Sequence, residues 1–582
     1  MLTKLIVRNF KRFASAEIDL GQAVVFIGPN NSGKTSALQA LALWQLGVRK
    51  WSEKRRGKAT PEKRSGVIIN RLDVIPVPVP NAILLWRDLH VRDVKQQDGK
   101  PQTKNIRIEI TVQGVNESVE WRCGLEFDYA NEESFYCRPL RADEGTSPSR
   151  MPVPEQAESV RIAYLPPMSG LVADEDRLDT GSLDVRIGEG RTAEVLRNLC
   201  HQIAGNEGSS EGWKKLCDRI KVLFGVTLEA PVYVGQRGRI TMSYRDQDGV
   251  RLDLSCSGRG LQQTLLLLAY PQVNPGAVLL LDEPDAHLEI LRQRQIYQEL
   301  TQAALEQGSQ VVAASHSEIL LNEAADRDVV VAFVGAPHRI DNRGSQVYKA
   351  LKKIGFDQYY QAEQKGWVLY LEGSTDLAIL QAFARVLNHP ATAVLERPFV
   401  HYVGGKPAEA KDHFFGLYEA KKDLVGIALF DRMPDLQDQG RLVMNAWRRR
   451  EIENYLALPE VLERYAVQSA AQDAMGPIFE ESERIKRLEA MKQCIADLVP
   501  PIALRDRSHR WWADTKASEE FLDGLFEQFF AKLGIPNSMR KSNYHVLARL
   551  VPREAVDAEV REKLDKIVAV ASNAHPLLDE SE

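Results

Sequence analysis

Residues 28–35 read Gly-Pro-Asn-Asn-Ser-Gly-Lys-Thr, the G-x-x-x-x-G-K-T spacing of a phosphate loop. In such a loop the backbone N–H groups, here those of Gly28, Asn30, Asn31, Ser32 and Gly33, point inward and cradle phosphate oxygens. Lys34 would reach the β- and γ-phosphates of a bound nucleotide, and the Thr35 hydroxyl would bind Mg²⁺. A glycine-rich turn ahead of a helix explains neither Lys34 nor Thr35.

A second group of chemical residues follows an apolar run, Val278-Leu279-Leu280-Leu281-Asp282-Glu283-Pro284. A buried parallel strand would carry both carboxylates to its C-terminal edge, where ligands bind in open α/β sheets. Asp282 would hold Mg²⁺ through its water shell, and Glu283 would polarise the attacking water.

A third group lies in the second half. Trp367–Leu371 reads as a strand running into Glu372 and Gly373, and Asp376 falls in the following turn before a helix. Glu372 and Asp376 can approach one divalent cation, and their oxygens suit Mg²⁺ or Mn²⁺. Another apolar strand, Val425–Phe430, ends at Asp431, and Asp435 follows. A further segment reads Arg449-Arg450-Glu451-Ile452-Glu453-Asn454-Tyr455-Leu456.

These residues need elements to hold them. Ala23–Ile27 is an apolar strand ahead of the loop, and an apolar helical pattern begins at Ser36. Met1–Val7 also reads as a strand. Residues 105–125 alternate apolar and polar, as strands do, while 142–160 read as a loop and Arg191–Phe224 as helical. A basic stretch, Arg49–Arg64, reads as a solvated loop or a phosphate-backbone contact, with Trp51 available for stacking. Residues 46–250 show mixed strand and helix patterns without sustained heptads, which argues against a long coiled-coil arm. Residues 458–582 read as mostly helical.

Composition narrows the class. A chain of 582 residues implies two to four domains. Apolar content of 44% and charged content of 27% suit a soluble globular protein. A net charge of −5 excludes a globally basic nucleic-acid binder, so any polyanion site is a local patch. Cys123, Cys137, Cys200, Cys217, Cys256 and Cys494 are scattered singly, which supports neither a zinc site nor a disulfide framework. Reduced thiols in the cytoplasm are the expectation. The N-terminus lacks a signal-peptide pattern, and no apolar run approaches the roughly 18 residues that span a bilayer, so no membrane is expected.

The order of motifs carries a resemblance. Ser255-Cys256-Ser257-Gly258-Arg259-Gly260 precedes Asp282, Pro284-Asp285-Ala286-His287-Leu288 follows it, and Val311–Ser317 contains His316. This resembles the ATP-binding-cassette (ABC) ATPases: Walker A, signature, Walker B, D-loop and switch histidine. The opening Ile6–Phe13 resembles the soluble branch of RecF, the SMC proteins and the OLD nucleases. The resemblance implies that Ser257 and Gly258 contact the γ-phosphate of ATP on another protomer, in a head-to-tail dimer, and that His316 contacts the γ-phosphate. The signature departs from Leu-Ser-Gly-Gly-Gln, and no glutamine-loop residue is assigned.

The second half resembles TOPRIM domains of topoisomerases, primases and OLD-family nucleases, and of the nuclease partner in PARIS phage-defence systems. That implies an acidic site of Glu372, Asp376, Asp431 and Glu453, with Arg449 or Arg450 near the scissile phosphate and Lys541 as an added basic residue. TOPRIM domains carry Asp-x-Asp after the second strand. Here Asp431-Arg432-Met433 breaks that pattern, so a ligand is missing, replaced by Asp435, or supplied by Glu453. The expected architecture is α/β: an ABC-type (RecF/SMC-like) ATPase head over 1–345 with an insert at about 46–250, a TOPRIM-like domain over 365–460, and a helical region over 461–582. The expected activity is an ATPase whose head dimerisation controls a Mg²⁺- or Mn²⁺-dependent nuclease on DNA or RNA in anti-phage defence, answering to a phage trigger or a second defence protein. Two other readings stay open: an ATPase sensor or scaffold with a non-catalytic TOPRIM-like domain, and a RecF-like repair ATPase.

Overall fold

Over residues 37–48 the helix Lys34–Arg55 is apolar on almost every side: Leu38, Leu41, Leu43, Trp44 and Val48 are all buried, as is Trp51 one turn on. A helix of that kind must lie inside the protein. In the computed structural model it does, between two six-stranded sheets. The structure describes residues 1–55, 66–97, 100–116, 119–141, 150–205, 210–324, 327–340, 354–434, 436–473 and 477–576. Its contacts divide the chain into two compact units, Met1–Gly344 and Ser345–Glu582.

In the first unit one sheet is antiparallel. Its strands run in the order Phe13–Asp19, Leu2–Phe10, Ile108–Asn116, Val119–Asn131, Ser134–Pro139, Val67–Asn70. The alternating residues near 105–125 thus extend the sheet that the N-terminus begins. The other sheet runs in the order Ile162–Leu165, Val278–Asp282, Gln310–Ser315, Ala23–Ile27, Val329–Ala332, His338–Arg339, parallel except for the last. Its inner strands are continuous buried apolar runs, as parallel strands covered on both faces require. Gly47 sits where the helix touches the antiparallel sheet; a Cβ there would stand 2.7 Å from Leu125 Cδ1 and 3.0 Å from Cys137 Sγ.

The helical pattern over 191–224 forms two helices, Leu196–Ala204 and Glu211–Phe224, packed on Arg259–Val273. The expectation of a loop from Arg49 needs correcting. The helix runs on to Arg55, and Trp51 is only 8% exposed, so it cannot stack on a nucleic-acid base. Trp44, Val48 and Trp51 recur at helical spacing, and apolar burial outweighs the basic neighbours. The rest of the basic stretch, 56–64, and the first part of the 142–160 segment, 142–149, lie outside the described residues.

The second unit holds a four-stranded parallel sheet ordered Val400–Tyr402, Trp367–Leu371, Val425–Phe430, Leu442–Ala446. The chain starts on an inner strand, steps one way through the helix Ser374–Leu387, then back past it through the helix Pro407–Ala420. That reversal opens a crevice at the C-terminal ends of Trp367–Leu371 and Val425–Phe430, the place where open α/β sheets take ligands. The helices after Leu458, including Pro459–Asp473, Asp523–Leu533 and Ala558–Ser572, share one apolar core with this sheet. Among the described residues no helix is long and apolar enough to cross a membrane.

Candidate functional site

The phosphate loop leaves the C-terminal end of Ala23–Ile27 and enters the helix at Lys34. Two close approaches shape it. A Cβ on Gly28 would meet Phe333 O at 2.8 Å, and one on Gly33, whose φ is +102°, would meet Phe13 Cζ at 3.0 Å. Only glycine fits both positions. Asn30 and Asn31 are exposed, and Asn31 adopts a left-handed φ of 62°. Lys34 folds back over the loop and donates to Gly28 O and Pro29 O, each at 2.8 Å. Burial lowers its pKa to about 8, against the pull of Asp282, Glu283 and Asp285. Ser32 Oγ is buried with no hydrogen-bond partner, an orphan that a phosphate oxygen would satisfy.

Asp282 ends its strand 7% exposed. One of its oxygens accepts from Thr35 Oγ1 at 3.1 Å and the other from Tyr164 OH at 3.3 Å. Burial raises its pKa. The next residue, Glu283, has a φ of +49°, a strained conformation for a side chain at a strand end. His316 stands between charges: Nδ1 lies 3.4 Å from Lys34 Nζ, and Nε2 lies 3.5 Å from Glu283 Oε1. Burial, then Lys34, lowers its pKa, so it is neutral, with Nδ1 facing the amine and Nε2–H facing the carboxylate. A nucleoside triphosphate with Mg²⁺ fits this set of an ammonium, a hydroxyl, a carboxylate and an unsatisfied serine.

Ser257 and Gly258 lie at the N-terminal end of the helix Arg259–Val273. Asp253 accepts from Ser255 N at 2.8 Å and Ser255 Oγ at 2.7 Å, and Ser257 Oγ donates to Leu254 O at 2.7 Å. Ser257 borders two open cavities of about 520 and 540 Å³, and among the described residues neither is lined by the phosphate loop. The structure therefore does not bring Ser257 and Gly258 into one site with Lys34 inside this chain.

In the second unit Glu372, at the end of its strand, accepts from Asp431 N at 2.8 Å. Asp376 lies in the first turn of the helix Ser374–Leu387, not in a free turn, and its carboxylate accepts from Glu372 N at 3.1 Å and Gly373 N at 3.3 Å. Burial and then Glu372 raise its pKa. Gly405, φ +74°, lies over the site; a Cβ there would stand 3.2 Å from Glu372 Oε2. Asp431 is pushed up to about 8 by burial and then by Glu372, Glu451 and Glu453. Glu453 is pushed up to about 8 by burial and then by Glu451. Its Oε1 is buried without a hydrogen-bond partner and lies 3.9 Å from Lys541 Nζ. Carboxylates held together against their own repulsion, with an orphaned oxygen, suit a divalent cation. The cluster is open, however: among the described residues no three His, Cys, Asp or Glu stand close enough to hold one ion. Asp435 lies outside the described residues.

Arg449 is already engaged, donating to Asp557 Oδ2 at 2.6 Å and Asn454 O at 2.9 Å and lying over the Tyr455 ring. The expectation of Arg449 at a phosphate is therefore corrected: its guanidinium ties the turn to the last helix region. Arg450 is exposed. Sequence reasoning missed Tyr164, Glu451 and Ser518. Glu451 carries a signal, since it precedes Glu453 by one residue in the same motif; Tyr164 and Ser518 carry none, because only folding brings them to Asp282 and Lys541.

With this geometry in place, residues 1–111 match the family model described as "AAA ATPase domain". Residues 151–322 match the one described as "AAA domain, putative AbiEii toxin, Type IV TA system". Both matches fall within the first unit, and both are to AAA-type ATPase domain models. Among solved structures, the SMC head domain from Thermotoga maritima is 15% identical at a TM-score of 0.32, with 58% of this chain and 98% of that chain covered. The Smc head domain with an extended coiled coil bound to the C-terminal domain of ScpA derived from Pyrococcus furiosus is 13% identical at 0.34, with 61% and 99% covered. No curated protein matches the chain.

Proposed function

We propose that the ATPase of residues 1–344 controls a divalent-cation-dependent nuclease in residues 345–582, an OLD-like pairing of an ABC-type head with a TOPRIM-type site that acts on DNA or RNA in defence against phage. The observation that carries the nuclease reading is the meeting of Glu372, Asp431, Glu453 and Lys541 around the crevice of the parallel sheet. The description matched by residues 151–322 names a putative toxin of a Type IV TA system, which is compatible with a defence role.

In the ATPase site Lys34 would hold the β- and γ-phosphates, Thr35 and Asp282 would hold Mg²⁺, and Glu283 would take the proton of the attacking water. His316, neutral and aimed at Glu283, would meet the γ-phosphate through the same edge. Ser257 and Gly258 would complete the site of a second copy. In the acidic site Glu372, Asp431 and Glu453, with Asp376 beside them, would have to draw together around Mg²⁺ or Mn²⁺ to hold it, and Lys541 would hold a phosphate oxygen. A bound cation supplies charge stabilisation at the phosphodiester.

The test incubates purified protein with Mg²⁺ or Mn²⁺ and varied DNA and RNA, with and without ATP. Cleavage is expected from the wild type, and Glu372→Ala should lose it while keeping ATP hydrolysis. EDTA should stop both activities, so the variant is the sharper arm. The openness of the carboxylate cluster favours a second reading, a sensor or scaffold whose TOPRIM-like unit binds a partner without cutting. Cation binding at this site without cleavage of any substrate, in any nucleotide state, would establish that second reading.

A further inference from the structure

Tyr164 lies on Ile162–Leu165, the parallel neighbour of the strand that ends in Asp282. It is 9% exposed; its hydroxyl donates to Asp282 Oδ2 at 3.3 Å, and its carbonyl accepts from Tyr270 OH at 3.0 Å. The two oxygens of Asp282 are thus each held by one hydroxyl, Thr35 and Tyr164. With the Thr35 hydroxyl engaged by a bound cation, Tyr164 would be the remaining donor that fixes the rotation of the carboxylate.

The chain beyond Tyr164 leads to the signature loop. Ser169, Gly170, Leu171 and Val172 form one wall of the cavity of about 540 Å³ whose other wall includes Ser255, Ser257 and Arg259. Val172 O accepts from Arg197 Nη1 at 2.9 Å, and Arg197 Nη2 donates to Asp253 Oδ1 at 3.0 Å. That same Asp253 oxygen holds Ser255 by its amide and its hydroxyl. Arg197 is 1% exposed, and a buried guanidinium cannot leave its partners without a large desolvation cost, so this end of the segment is firmly tied. One stretch of chain is therefore bonded at one end to Asp282 and at the other, through a buried arginine, to the loop that carries Ser257.

We infer that Tyr164 is a positioning residue for Asp282, and that the segment from Tyr164 to Val172 passes cation occupancy at Asp282 on to the Asp253–Gly258 loop. The inference rests on the reading of Asp282 as a Mg²⁺ ligand in the nucleotide site. It differs from that reading in assigning a path that neither motif contains.

The experiment uses the full chain and two readouts that need no turnover. The first is the Mg²⁺ concentration that half-saturates binding of a fluorescent ADP analogue. The second is the rate at which Cys256 reacts with a small thiol reagent in ADP alone and in ADP with Mg²⁺; Cys256 is the exposed one of the six cysteines and lies in the signature loop. Tyr164→Phe removes only a hydroxyl, and a thermal melt checks its fold. The variant should bind the analogue in EDTA as the wild type does and need about tenfold more Mg²⁺. The wild-type Cys256 rate should change on adding Mg²⁺, and the variant's should not. Asp253→Asn, at the far end of the path, should keep the wild-type Mg²⁺ midpoint and lose the Cys256 response. An unmoved midpoint in Tyr164→Phe, a Cys256 response that persists in either variant, or a wild-type Cys256 rate indifferent to Mg²⁺ overturns the inference. Failure of the wild type to bind the analogue at all would instead remove the nucleotide reading beneath it.

Discussion

Glu451 and Glu453 flank Ile452 at the start of one short turn, and their carboxylates are used in opposite ways. Glu451, 1% exposed, accepts from both the amide and the hydroxyl of Ser518. Glu453, 2% exposed, leaves Oε1 without a hydrogen-bond partner and faces Lys541. Ser518 in turn accepts from Lys541 Nζ at 3.3 Å, so the occupied carboxylate holds the serine that steadies the lysine beside the unoccupied one.

That division predicts different losses. Glu453→Gln should weaken Mn²⁺ binding at the acidic site and leave the cation-free protein at least as stable at pH 8, because it replaces a buried carboxylate that resists ionisation. Glu451→Gln should cost about 1–3 kcal/mol of stability through Ser518. Manganese titration by electron paramagnetic resonance and thermal melts of each variant check this; equal losses of stability in both would contradict it.

At the nucleotide site, Lys34→Ala should weaken ATP binding, since the amine is folded onto the phosphate loop through Gly28 and Pro29. Glu283→Gln should bind ATP normally and hydrolyse it about 10²–10⁴-fold more slowly. Nucleotide binding and phosphate release, measured on the same preparations, separate the two. A wild-type hydrolysis rate in Glu283→Gln would remove Glu283 from the role of base.

The signature residues lie away from the phosphate loop of their own chain, which predicts that each site is completed by a second copy. Mixing Lys34→Ala subunits with Ser257→Arg subunits should restore about one competent site per dimer, by the head-to-tail geometry in which each site draws on two chains. ATP should also shield Cys256 of the Glu283→Gln variant from a bulky maleimide. Undiminished hydrolysis by a strictly monomeric protein argues against the shared site.

A buried histidine sets a pH dependence in the second unit. His413 lies between Tyr370 OH, 2.9 Å from Nδ1, and Gln358 Oε1, 2.7 Å from Nε2, and stacks on His401 at 3.7 Å between ring centres. Burial, then His401, lowers its pKa to about 3 from the usual 6.5. Between those values the unfolded chain takes up a proton that the folded one refuses. Stability from this residue is thus present above pH 6.5 and falls with pH below it, by about 1.4 kcal/mol per unit. Urea unfolding from pH 7 to 4 should show a steeper decline in the wild type than in His413→Gln; parallel curves would contradict the assignment.

The sequence made the phosphate loop, Asp282, Glu283 and His316 legible because each motif is a short run whose spacing reflects its own strand and turn. Glu372 and Asp431 were legible for the same reason: apolar strands ending in acids announce a sheet edge. Tyr164 was not, because its partner lies on a neighbouring strand far along the chain and a tyrosine after an alanine has no motif. Trp51 was misread because charge near it was weighed above its spacing from Trp44 and Val48. Ser518 became relevant only through the packing of a segment whose own pattern is that of any helix.

The helix Lys34–Arg55 serves as both the floor of the phosphate loop and the middle layer between two sheets, with Gly47 pressed against Leu125 and Cys137. In a genetic screen for lost activity, hits should therefore not cluster around the nucleotide alone. They should run down the buried length of this helix and out into the strands it touches, so that an allele as mild as Gly47→Ala behaves like a lesion in the ATP site while altering no residue near it.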